Sequence, residues 1–206
     1  MTIRILLTIA ILRLLLTLAD GGDWERPRLS ARERRIACDE RREHVRLALR
    51  SAAVHGFYAF EGLMTEEAGM IDFLAVGPLG TCVVVVRDEK GNVTADVDGT
   101  LYLDGQRFED DPLRQAGDLA ADVNVKLEGT GAHCYDVICF TQADLYYLGD
   151  DPDAVLKGVC PTWDLPLSFS DAPREHTPAD VAEMADRVRE VYGRPPFVVP
   201  EEDDTQ

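Results

Sequence analysis

Asp72 is the residue on which the chemistry of this chain turns. It lies in an apolar run, 71–76, which a Gly77-Pro78-Leu79-Gly80 turn joins to a second run, 82–86, with Val at four successive positions and Arg87 just beyond. A carboxylate carried into an apolar layer costs roughly several kcal/mol unless it is paired, so Asp72 sits at an open strand end, binds a cation, or meets a base such as Arg87. The other reactive side chains form no pattern. His44, His55, His133 and His176 are scattered, and Cys38, Cys82, Cys134, Cys139 and Cys160 contain no C-x2-C pair and no His at zinc-finger spacing. The cysteines read as reduced thiols, two of them (Cys82 and Cys139) inside apolar, strand-like runs.

The two apolar runs around Gly77-Pro78-Leu79-Gly80 predict a hairpin. Valines without polar alternation predict a strand covered on both faces, with helices on either side of the sheet. Residues 57–63 read as a preceding strand, 89–92 as a tight turn, and 93–97 and 101–103 as short strands punctuated by Asp-Gly dipeptides. From 112 to 127 the period changes to 3.6, with Leu113, Ala116, Leu119, Ala120, Val123 and Leu127 on one face. An apolar strand over 135–141 follows, so helix then strand implies a crossover and a parallel pair. A short helix is expected over 151–159 and a short strand over 165–169. Thr177-Pro178-Ala179-Asp180 opens a final helix to Tyr192, with cap, N1 proline and capping box in place. Upstream, Ser30 caps a charged helix to about residue 53, in which Glu43 faces Arg46 and Arg50 and the arginine run reads as a solvated face. The fold class is α/β, a mixed sheet flanked by helices.

The 206 residues carry a net charge of -17, unevenly spread: 1–50 hold 11 Arg and 7 Asp/Glu, while 51–206 hold 10 Lys/Arg and 31 Asp/Glu. A body that acidic repels phosphate, so charge argues against a nucleic-acid partner. Residues 3–19 contain eleven Leu and Ile, a run that as a helix spans about 25 Å, just short of a bilayer core of ~30 Å. Its leucines and isoleucines outweigh Arg13, and Arg26, Arg28, Arg32, Arg34 and Arg35 beyond it would hold the body on the cytoplasmic side. A signal peptide, a hydrophobic helix docked on the domain and a misassigned start codon are the competing readings of the same run. The chain therefore divides into a hydrophobic segment and candidate anchor at 1–20, a linker at 21–29, a domain at 30–194 and a disordered acidic tail at 195–206.

Ile71-Asp72, then Gly77-Pro78-x-Gly80 and a four-residue apolar strand, then Gly91 and Gln115-Ala116, resemble the nuclease-related domain (NERD) family of the PD-(D/E)xK restriction-endonuclease-like superfamily over residues 40–145. The resemblance implies a restriction-endonuclease-like sheet flanked by helices, here preceded by the N-terminal hydrophobic helix. It implies catalytic positions at Glu43, Asp72, Val85, Arg87 and Gln115-Ala116. In such sites two acids hold Mg2+ or Mn2+ between them and a Lys two residues along the strand orients water or stabilises charge. This chain departs at two positions: Val85 stands where the second acid belongs and Arg87 where the Lys belongs. Asp72 is left as the one family metal ligand, and an Asp72–Arg87 ion pair is expected in place of a metal site. The expectation is a degenerate, catalytically inactive domain that works as a binding or scaffolding module for a protein partner, with no cofactor. The alternative is an active divalent-metal-dependent nuclease whose missing acid has migrated to Asp118 or Asp122.

Overall fold

The computed structural model describes residues 31–96, 99–147, 158–170 and 174–200, with side chains from Asp39 onward. The chain divides into two units, Met1–Ile36 and Ala37–Gln206. Of the first, only the opening of helix α1 (Ala31–Ser51) is described, so the hydrophobic run at 3–19 and the linker at 21–29 lie outside the described residues. Among the described residues, no helix is long and apolar enough to cross a membrane.

The second unit is a mixed α/β domain built on a sheet of seven strands among the described residues. After α1 and a 3-10 turn (Ala52–His55) come β1 (Tyr58–Met64), β2 (Met70–Gly77) and β3 (Gly80–Ala95). β4 (Leu101–Leu103), β5 (Gln106–Arg107) and α2 (Pro112–Lys126) follow. β6 (Cys134–Tyr147), β7 (Val159–Pro161), a one-turn α3 (Leu167–Ser170) and α4 (Pro178–Tyr192) complete the body. β3 is the spine. Its first half pairs antiparallel with β2, its last three residues pair antiparallel with β4, and β6 runs parallel to it from Thr81 to Ala95. β7 extends the sheet beyond β6, also parallel.

The doubly covered strand is as expected. Val83 and Val85 pack in a layer with Ala116, Leu119 and Val123 of α2 and Val181, Met184 and Val188 of α4. Cys82 and Val84 point the other way, into a layer with Val45 and Leu49 of α1 and Leu165 and Phe169. Each buried valine contributes roughly 1.5–3 kcal/mol by leaving water, on both faces of one strand.

Three segments differ from the sequence reading. The turn expected over 89–92 is absent: β3 continues as a single strand of 16 residues, with a register shift between Arg87 and Lys90. Pairing to β6 on one edge and β4 on the other holds it extended. Gly91, at φ 131°, is there for close approach rather than for a turn, since a Cβ would stand 2.4 Å from the Asp104 carboxylate. The strand expected over 165–169 is helical, because Pro166 favours a turn and the amides of Leu167 and Phe169 bond the carbonyls of Asp164 and Pro166 at 2.9 and 3.2 Å. The helix expected over 151–159 lies outside the described residues as far as 157, and Val159 begins β7 instead.

The capping box of α4 is as read, and α2 has a cap that its periodicity did not announce. Asp111 accepts from the Arg114 amide at the start of α2, and Thr177 and Asp180 form the capping box of α4. Beyond α4 the chain returns to the sheet: Val198, 5% exposed, bridges β1 through the Ala59 amide to Val198 carbonyl bond of 3.1 Å. The sequence reads 195–206 as a disordered tail; 195–200 instead pack back on the sheet, and 201–206 lie outside the described residues.

Candidate functional site

β1 and β2 both break alternation where Asp72 sits. Phe60 faces the α2–α4 layer and Ala59 the α1 layer, so strict alternation would send Leu63 toward α1; Leu63 instead lies with Phe60. Ile71 likewise lies with Leu74 rather than with Phe73. The common cause is Gly62, in the left-handed region at φ 65°, which falls opposite Asp72 between the pairs Glu61↔Phe73 and Leu63↔Ile71. The β2–β3 ladder ends here, at Phe73↔Val84. Carried on, its register would set Ile71 opposite Val86. The Val86 amide instead donates to Asp72 Oδ2 at 2.9 Å.

The other carboxylate oxygen, Asp72 Oδ1, accepts from Arg42 Nη2 of α1. Both side chains are largely buried, 24% exposed for Arg42 and 14% for Asp72. The expected Asp72–Arg87 pair is therefore replaced by Asp72–Arg42. The reason is the direction of the strand: Arg87 follows Val83 and Val85 onto the α2–α4 side of β3, whereas Arg42 comes from α1 on the other side.

Arg87 has its own partners. It bonds Asp110 at 2.5 Å and Glu89 on its own strand, and its guanidinium lies over the Phe108 ring, 5.5 Å from the centroid. Burial works against its charge, but the Asp110 and Glu89 carboxylates outweigh this and raise its pKa, while Arg87 holds the Asp110 carboxyl below its ordinary value. Two buried oxygens beside the register shift, Glu89 Oε2 and Gln142 Oε1, have no hydrogen-bond partner.

Glu43 does not reach Asp72. It bonds Arg46 at 2.8 Å and Arg50 at 3.3 Å along the helix surface, and the Arg46 bond lowers its pKa. Arg46 in turn holds Glu61 of β1 through Nε at 2.7 Å and through Nη2. Arg41 reaches Asp88 of β3 at 3.0 Å. Three arginines of α1 thus meet acids on three successive strands: Glu61 on β1, Asp72 on β2 and Asp88 on β3. Among the described side chains of the arginine run read as a solvated face, Arg41, Arg42 and Arg46 are directed at the sheet and Arg50 stays on the surface. Gln115 is exposed on the first turn of α2, Asp118 pairs with Arg114 at 3.8 Å on the outer surface, and Asp122 accepts from Tyr192 Oη at 3.4 Å.

The family-like positions are therefore not gathered. Arg42 and Asp110, which sequence reading missed, engage Asp72 and Arg87, and Glu61, also missed, holds Arg46, the partner of Glu43. One signal was available: Arg42, Val45, Arg46 and Leu49 recur at helical spacing, which sets both arginines on the face that packs. A divalent cation does not fit this donor set. Asp72 is occupied by a guanidinium and an amide, Val85 offers no donor, and Arg87 brings fixed positive charge. Among the described residues, no three His, Cys, Asp or Glu side chains gather as a metal donor set. The chain matches no protein-family model, no curated protein and no solved structure.

Proposed function

We propose that the body is a degenerate, catalytically silent NERD-like domain of restriction-endonuclease-like descent. In this reading it serves as a binding or scaffolding module for a protein partner at the cytoplasmic side of a membrane, anchored through residues 3–19. The observation that carries it is the state of Asp72: both carboxylate oxygens are engaged, by Arg42 and by the Val86 amide, with apolar Val85 at the position of the second acid. A carboxylate so held is neutralised without metal, and both its oxygens are taken by partners other than water. The acidic body agrees, since its net charge repels phosphate. Asp118 and Asp122 lend no support to a migrated acid, because their partners are Arg114 and Tyr192 on and beside α2.

Purified full chain incubated with Mg2+ or Mn2+ and with DNA or RNA is expected to leave both polymers intact. Cleavage by the wild type that is lost in Asp72→Ala would overturn the proposal.

A further inference from the structure

Cys139 and Cys160 are direct register partners on the parallel strands β6 and β7. Both belong to the layer facing α1, so their side chains leave the sheet on the same side. Partners on adjacent strands stand about 4.8 Å apart, inside the ~4.4–6.8 Å between Cα atoms that a disulfide spans. Their Cα separation is therefore one that a disulfide spans. Cys139 Sγ lies 3.6 Å from Thr162 Oγ1.

Their environments differ in a useful way. Cys139 is fully buried in the middle of the sheet, whereas Cys160, 8% exposed, lies on β7, whose one partner strand among the described residues is β6. The remaining buried thiols lack this arrangement: Cys82 pairs in register with Tyr135, and Cys134 with Thr81.

We propose that Cys139 and Cys160 form a dithiol site that a peroxide-class oxidant converts to a disulfide within the folded domain. Peroxide meets Cys160 first, because Cys139 is covered. The Cys160 sulfur attacks one peroxide oxygen, the O–O bond breaks, and water leaves behind a sulfenic acid. The Cys139 sulfur then attacks the Cys160 sulfur, the S–O bond breaks and the S–S bond forms. The two thiols lose two electrons and both protons, and one hydrogen peroxide becomes two waters. The neighbouring Cys139 sulfur and burial push the Cys160 pKa up while Cys160 pushes that of Cys139 down, so Cys160 takes the first step on access alone and Cys139 is the better nucleophile for the second.

The test is a peptide map of the folded full chain after hydrogen peroxide, alkylated in denaturant and digested without reductant. Cleavage at Lys157 separates Cys139 from Cys160, and cleavage before Asp136 separates Cys134 from Cys139. The expected product joins the Cys139 and Cys160 peptides, lighter by two hydrogens than their sum, and falls apart with reductant. In Cys139→Ser the sulfenic acid has no resolving thiol, so dimedone is expected to label Cys160. Recovery of Cys139 and Cys160 both alkylated would overturn the proposal, as would Cys160 stopping at the sulfinic acid in the wild type, or either thiol joined to a different cysteine.

Discussion

The Asp72 carboxylate is held from two directions, and substitution separates the two holds. Asp72→Ala leaves the Val86 amide without its acceptor and the Arg42 guanidinium without its carboxylate, both largely out of water. The cost is expected to be about 2–4 kcal/mol, between the ~1 of an exposed pair and the ~3–5 of a fully buried one. Asp72→Asn keeps an oxygen for the amide and loses only the charge, so it should cost about half as much. Urea unfolding of the two variants measures the difference, and equal losses would mean that the Val86 bond contributes nothing. At this scale the sequence was half legible. It exposed Asp72 as a carboxylate in need of a partner, but it pointed to the wrong arginine. The choice between Arg42 and Arg87 depends on which face of the sheet each side chain takes, and the left-handed Gly62 resets that alternation on the neighbouring strand.

Among the elements, β3 shows how a local signal misleads. Glu89-Lys90-Gly91-Asn92 has the composition of a turn, yet the chain stays extended because β6 pairs with Lys90–Asn92 and β4 takes up the other edge from Val93 on. Gly91 answers a packing need, the approach of Asp104, whose carboxylate accepts from the Asn92 amide at 2.8 Å. Gly91→Ala is therefore expected to cost roughly 2–4 kcal/mol, from strain at φ 131° and displacement of the Asp104 side chain. Thermal unfolding of Gly91→Ala beside Gly91→Ala/Asp104→Gly would test it, since removing the obstructing carboxylate should return part of the loss. The helices were more legible than the strands. α2 and α4 carry their caps and their apolar periods within their own sequence, whereas the ends of β3, β6 and β7 are fixed by partners dozens of residues away.

For the whole molecule, the α/β class, the covering of the sheet on both faces and the crossover through α2 to a parallel strand all followed from pattern and period. The edges of the sheet did not. β7 is three residues long, and the Val198 bridge to β1 lies beyond the last helix, so neither gives a periodic signal. The parallel pairing of β3 with β6 also has a kinetic consequence. The β2–β3 hairpin can close as soon as its two strands exist, but β6 arrives only after β4, β5 and α2 have been laid down, and Thr81 waits for Cys134. Until then, four valines in a row present an unpaired, uncharged edge, the kind of segment that seeks the same segment in another molecule. Refolding from denaturant should accordingly lose yield to light-scattering aggregates as protein concentration rises, and a yield independent of concentration would show that β6 docks before neighbouring chains can meet. The strand that organises the native sheet is, for the interval before its parallel partner arrives, the part of the chain most exposed to self-association.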